Sequence, residues 1–196
     1  MNYRREAPAQ DAERGSEPRA DRRLRRIVVG GVTGSGKTTL ARELSYRLGL
    51  PHVELDAFYW EPNWTPAPAE TFRARVAEAL QGGAWVADGN YGIARDIVWA
   101  RADTLVWLDY GLPVILWQLT RRMWRRVFSQ EDLWNGNRER LGDHFFSRDS
   151  LYLWVFRTYW RRRREYPVHL RRPEFAHLTV VRRRSPRATR DWLVSL

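Results

Sequence analysis

Eight residues constrain this chain more than all the others: Gly31-Val-Thr-Gly-Ser-Gly36-Lys37-Thr38. Two glycines with four residues between them, then Lys-Thr, form the complete G-x-x-x-x-G-K-[ST] pattern. The flanks supply the context the pattern needs. Before it, Leu24 to Gly30 carries the β-branched run Ile27-Val28-Val29 and reads as a strand. After it, Thr38 to Leu48 places Leu40, Leu44 and Leu48 at i, i+4 and i+8, and Gly49 supplies a stop, so this stretch reads as a helix. A glycine-rich turn between strand and helix curls its backbone N–H groups inward, adds the positive end of the helix dipole, and so makes a cradle for phosphate.

Lys37 is the only lysine in a chain that otherwise uses arginine for every basic position. An ammonium is a compact point charge on a flexible stem; a guanidinium is a wide planar fork. Only the former fits between two phosphates above a tight backbone loop. Gly31, Thr33, Gly34, Ser35, Gly36, Lys37, Thr38 and Thr39 are therefore the expected nucleotide-binding residues. Lys37 reaches the terminal phosphates and the Thr38 hydroxyl serves Mg²⁺. ATP and Mg²⁺ are the expected cofactors.

Short apolar strands alternate with amphipathic helices along the remainder. His52 to Leu55, Ala84 to Ala87, Thr104 to Leu108 and Leu178 to Arg182 read as strands. Ala69 to Gln81, Pro113 to Phe128, Leu151 to Glu165 and Pro186 to Leu196 read as helices. Such alternation predicts an α/β fold, a parallel five-stranded sheet with helices on both faces. In these sheets ligands bind at the carboxyl ends of the strands, where Asp56, Asp88 and Asp109 all fall. A carboxylate there either holds Mg²⁺, accepts a proton from an attacking hydroxyl, or caps the next turn. Position alone leaves open which of the three joins Thr38 at the metal.

Residues 1–23 are charged and almost free of large apolar side chains, so they read as a disordered tail ahead of one domain over 24–196. Residues 129–147, polar and containing Gly136, read as a lid. With 34 basic against 23 acidic residues the net charge is +11, which attracts polyanions. No cysteine is present, which excludes disulfides and thiolate metal sites. No apolar run has the length of a membrane span. The expectation is a cytoplasmic protein, monomer or homodimer, with no membrane partner.

Three segments carry a family resemblance: GVTGSGKTTLARELSYRLGLPHVELDAFYW, then VADGNYGIARDIVWARADTLVWLDY, then LTRRMWRR with LWNGNRE. With them the chain resembles the P-loop small-molecule kinases of adenylate-kinase type, and within these the bacterial adenylate kinase-like proteins also labelled "DNA topology modulation protein". The resemblance spans about residues 24–196. It implies a nucleoside-monophosphate-kinase-like core, an arginine-bearing lid, and phosphoryl transfer to a small-molecule acceptor: a nucleotide, a nucleoside or a hydroxyl compound. Asp88-Gly89 match the start of the D-G-F-P-R segment with which adenylate kinases serve Mg²⁺ and the acceptor, so the resemblance implies Thr38 and Asp88 as the metal pair; Asn90-Tyr91 replace the segment's continuation, and Arg95 is the nearest arginine. Asp56 matches the aspartate with which shikimate and gluconate kinases orient an acceptor hydroxyl. Arg121 and Arg122 resemble the arginines that touch ATP, and Arg138 is the lid candidate. The expected catalytic set is thus Lys37, Asp56, Arg122 and Arg138. Arg121 joins the nucleotide site, and the acceptor site comprises Asp56, Trp60, Asp88, Gly89, Asn90, Tyr91 and Arg95.

Two features read either way. Phe58-Tyr59-Trp60 with Trp64 either stacks on an acceptor ring or walls the acceptor subdomain. The run Arg161 to Arg164 reads as the solvated end of a helix; a nucleic-acid backbone is its other reading, which makes a nucleotide-gated nucleic-acid-binding regulator the alternative function.

Overall fold

The computed structural model describes residues 24–129, 135 and 151–196. The chain runs β1 (Arg26–Gly31), α1 (Lys37–Leu48), β2 (His52–Glu54), α2 (Leu55–Tyr59), β3 (Trp60–Glu61), β4 (Thr65–Pro66), α3 (Ala69–Ala79), β5 (Trp85–Asp88), α4 (Arg95–Arg101), β6 (Thr104–Leu108), α5 (Leu112–Ser129), α6 (Leu151–Leu170), β7 (Thr179–Arg183) and α7 (Pro186–Val194). Five strands form one sheet in the order β2-β5-β1-β6-β7, and every pairing in it is parallel. β3 and β4 form a separate antiparallel pair.

Strand alternation divides the core into two layers. Val28, Ala87, Leu105 and Trp107 face one side, where Phe72 and Val76 of α3, Val98 and Trp99 of α4 and Tyr166 of α6 cover them. Ile27, Val29, Val86, Val106 and Leu108 face the other, under Leu40 and Leu44 of α1, Ile115, Leu119 and Met123 of α5, and Val155 and Tyr159 of α6. α6 thus contributes to both layers. Phe72 is fully buried; truncating it to alanine costs about 3–5 kcal/mol.

Three details differ from the sequence expectation. β2 stops at Glu54, and Leu55–Tyr59 form a short helix, so Asp56 lies in the first turn of α2 instead of at a strand end. α4 was not expected, because its seven residues are too few to show a helical period; it is held by buried Val98 and Trp99. α6 continues past Glu165 through Pro167 to Leu170, because buried Tyr166 and core-packed Leu170 anchor its last turns. Most of the expected lid, with Gly136 and Arg138, and the expected tail lie outside the described residues.

Candidate functional site

β1 lies at the centre of the sheet, so the loop that follows it opens at the middle of the carboxyl edge. Gly36, at φ 85°, turns the chain into α1 in a conformation that side-chain-bearing residues rarely adopt. No side chain caps α1, and its first turn holds no acid. Its first N–H groups and dipole therefore point into the loop as an anion site. Ser35 Oγ is buried there without a protein partner. Lys37 Nζ donates to Val32 O at 3.3 Å, and Thr39 is on the exposed side of α1.

Thr38 Oγ1 donates to Asp88 Oδ2 at 2.5 Å. Asp88 is 2 % exposed, and its other oxygen, Oδ1, lies 2.8 Å from His52 Nε2. The pair is a hydroxyl and a carboxylate, oxygen donors only, and the described residues contain no cluster of three His, Cys, Asp or Glu side chains. One carboxylate plus one hydroxyl beside a phosphate cradle fits Mg²⁺, which keeps most of its waters. It does not fit a structural zinc ion.

Asp56 of α2 accepts from Tyr91 Oη. Burial raises the Asp56 carboxyl above the usual carboxylate range, while the Tyr91 hydrogen bond and nearby Lys37 pull it back down. Tyr91 is raised in turn, by its own burial and by the Asp56 charge. Lys37 is lowered to about 8, first by burial; Asp56 and Asp88 oppose that fall, and Arg162 and Arg122 add to it. The structure thereby brings Lys37, Thr38, Asp56, Asp88, Tyr91 and Arg122 to one rim.

Gly89 has φ 143°, and a Cβ there would sit 2.7 Å from Leu55 Cβ, so only glycine lets α2 close over β5. Next to it, Asn90 is engaged at both ends. Its Nδ2 donates to Gly31 O at 2.9 Å, its Oδ1 accepts from Tyr166 Oη at 2.6 Å, and its carbonyl accepts from Arg162 Nη2 at 2.9 Å. Asn90 therefore ties the segment after β5 to the phosphate loop. Leu55, Gly89, Tyr91, Arg95, Val98 and Trp99 line a small recess beside it. Arg95 rests on the Trp99 ring, 5.4 Å from its centroid, with Glu165 at 3.9 Å.

Other expected residues are placed elsewhere. Arg121 is exposed and stacks on Trp117, 5.6 Å from the ring centroid, on the outward side of α5. Trp60 packs edge-on against Tyr59 and Trp64 in the β3–β4 corner. Asp109 is caged by arginines: Arg163 Nε at 2.6 Å, Arg182 Nε at 2.9 Å and Arg182 Nη2 at 2.5 Å.

The arginine run corrects the expectation of a solvated helix end. Arg161 and Arg164 are exposed, but Arg162 turns in to Asn90 and Arg163 to Asp109. Sequence did hold a signal. Val155, Tyr159, Arg162 and Tyr166 fall on one helical stripe, and the flanking members are core residues. His52 also reaches the site, and nothing in a lone histidine before Asp56 signals its bond to Asp88.

No family model matches the chain, and no curated protein matches it. Solved structures do match. A shikimate kinase from Bacteroides thetaiotaomicron is 14 % identical with a TM-score of 0.51, over 86 % of this chain and 94 % of that one. A gluconokinase from Sinorhizobium meliloti 1021 is 18 % identical with a TM-score of 0.50, over 88 % and 93 %. A shikimate kinase from Acinetobacter baumannii in complex with shikimate gives 18 %, 0.50, 88 % and 90 %. The chain has the fold of these P-loop kinases. At such identities the likeness concerns fold alone.

Proposed function

We propose that the protein is an ATP-dependent phosphotransferase acting on a small-molecule acceptor. One observation carries this reading: Asp56, a half-buried carboxylate, stands at the same rim as Lys37 and the Thr38–Asp88 pair. A proton acceptor, a phosphate-binding cation and a metal-holding pair are the parts that transfer to a hydroxyl needs.

Lys37 and the uncapped start of α1 bind and orient the triphosphate. Thr38 and Asp88 would hold Mg²⁺, which supplies charge neutralisation at the phosphate oxygens. Asp56 takes the proton from the acceptor hydroxyl as its oxygen bonds to the γ-phosphorus and the bond to the β-phosphate oxygen breaks, leaving ADP. Arg122 lies close enough to Lys37 and Asp56 to influence both, and adds positive charge where phosphate charge gathers.

The acceptor reading follows from the charges beside Asp56 and Asn90. Arg95 stands beside Tyr91 and Trp99, and Arg162 bonds the Asn90 carbonyl, so two guanidinium groups face a single loosely placed Glu165. That charge balance favours a small alcohol that also bears an anionic group. The matching shikimate kinase and gluconokinase structures agree with it. The finer assignment, to the adenylate kinase-like subgroup, rests on LDAFYW and DGNY. ATP, Mg²⁺, Arg138 as lid arginine and a single domain over 24–196 belong to the same reading; Arg121, turned outward on α5, does not.

Transfer of label from γ-labelled ATP into pooled monophosphates, nucleosides, sugars and acidic alcohols tests it. Label should enter an anionic alcohol, and Lys37→Met should lower transfer about 10³-fold or more. The same variant should be more stable than the parent by about 1–3 kcal/mol at pH 7. The folded state disfavours the Lys37 proton, so its cost is full below about 8 and fades as pH climbs toward 10.5. The stability gain should fade over that window in thermal melts. Label released only as free phosphate, equally in parent and variant, would overturn the reading.

A further inference from the structure

Helices α5 and α6 each turn one face to the core and one outward. Thr120 Oγ1 and Tyr152 Oη join them at 2.7 Å. Helical spacing gathers apolar side chains around that contact. Trp117 and Trp124 are the i−3 and i+4 neighbours of Thr120; Phe156 is the i+4 neighbour of Tyr152, with Leu153 and Trp160 one turn to either side of it. All five are exposed, from 44 % for Leu153 to 61 % for Trp117. At ~200 Å² per aromatic side chain, the strip shows on the order of 500 Å² of apolar surface. That is the scale of the largest patch on a typical monomer, and such patches mark interaction sites.

The exposed charges on the described part of the two helices are of one sign. Arg121, Arg125, Arg157, Arg161 and Arg164 are exposed on the same two helices. The only acid on either helix is Glu165, 3.6 Å from Arg161. Residues 1–23 hold six arginines against five carboxylates, so the excess charge sits almost wholly in the body of the protein.

Three occupants suit an apolar strip. A second copy of the chain would press one arginine rim against another, which costs free energy. A nucleic-acid strand stacks its bases within a positively charged groove; here the strip runs over the outward faces of two helices and includes aliphatic Leu153. An anionic lipid surface meets every requirement. Indole and phenyl rings enter the headgroup boundary, arginine stems lie along the apolar surface, and guanidinium groups reach lipid phosphates.

We propose that the outer face of α5 and α6 docks the protein peripherally on an anionic lipid bilayer. No described helix is long and apolar enough to cross a membrane; the docking lies in the interface plane. The same two helices carry Arg122 and Arg162 on their inward sides, so docking leaves the candidate site's own contacts intact.

Co-sedimentation of the full chain with vesicles tests this. Vesicles of phosphatidylcholine with about one-third phosphatidylglycerol should bind at least tenfold more tightly than pure phosphatidylcholine, and salt should weaken the binding. Trp117→Ser, Phe156→Ser and Trp160→Ser combined should lower the partition coefficient at least tenfold with an unchanged melting curve. Arg157→Gln, Arg161→Gln and Arg164→Gln combined should erase the preference for the anionic lipid. Oligothymidylate binding and sedimentation velocity run alongside. The proposal is overturned by failure to bind anionic vesicles at low salt, by full binding in the apolar triple variant, or by that variant losing oligothymidylate binding or a dimer instead. Lipid partitioning is read without phosphate transfer, so it stands or falls apart from the proposed activity.

Discussion

Asp88 and Asp109 end the two strands that flank β1, and both are nearly inaccessible to solvent. In sequence they look alike, an aspartate closing an apolar run. Their partners differ in kind. Asp88 receives a threonine hydroxyl and a histidine nitrogen, and faces the phosphate loop. Asp109 receives two guanidinium groups and also anchors its own N–H to Arg183 O at 2.8 Å across the edge strand. A carboxylate meant to hold a cation must keep uncompensated charge, and hydroxyl donors leave it that charge. A carboxylate meant to join α6 to β7 is neutralised on the spot. Position along a strand places a carboxylate at the rim; its neighbours decide what it does there.

The widest separation should come from exchanging each aspartate. Asp88→Asn should reduce phosphate transfer about 10³-fold, the scale of losing a positioned group at a phosphoryl-transfer site, with little change in stability. Asp109→Asn should do the reverse. Breaking a buried pair costs about 3–5 kcal/mol, and here about 2–4, because Arg163 and Arg182 are each about a third exposed and rehydrate in part. Urea melts and steady-state rates on both variants decide it. A destabilised but fully active Asp88→Asn protein would erase the distinction.

This pair also marks how far the sequence is legible. The phosphate loop, the alternation of strands and helices and the amphipathic stripe of α1 were readable because each is a local pattern with a fixed period. The α2 turn at Asp56 and the seven-residue α4 were not, since a single helical turn carries no period and tertiary contacts hold it. The roles of Arg162 and Arg163 were masked by composition: among so many arginines, inward and outward ones share one letter. His52 meets Asp88 only because β2 lies beside β5 with His52 opposite Val86, two residues before Asp88, a register that no single sequence prints.

His52 sharpens the contrast at the metal-holding side. Its Nε2 fixes Asp88 Oδ1 while Thr38 takes Oδ2. Outer partners of this sort are worth about 10–100-fold in metal affinity. His52→Ala should weaken Mn²⁺ binding, read by paramagnetic resonance with nucleotide present, by about tenfold. His52→Gln, whose amide nitrogen reaches a similar place, should recover most of it. Equal loss in both variants would make His52 a packing residue.

The smallest effect separates Asp56 from both strand-end aspartates. Tyr91 packs against Tyr59 and Phe72, with ring centroids 4.4 and 4.9 Å away, so Tyr91→Phe keeps the ring and removes the hydroxyl with its bonds to Asp56 and to the Trp60 side chain. The bond to Asp56 favours the ionised carboxylate, and burial opposes it. Without it the Asp56 carboxyl rises further. A general base works only when deprotonated, so the acid limb of kcat/KM should move to higher pH, with at most about a tenfold loss on the plateau. The matching change at Asp109, removal of the Tyr159 hydroxyl that bonds Arg163, should leave the limb where it is, because Asp109 touches no reacting atom. A limb that stays put in Tyr91→Phe would remove Asp56 from the proton path and leave it a neighbour of Lys37 that merely supports the lysine's charge.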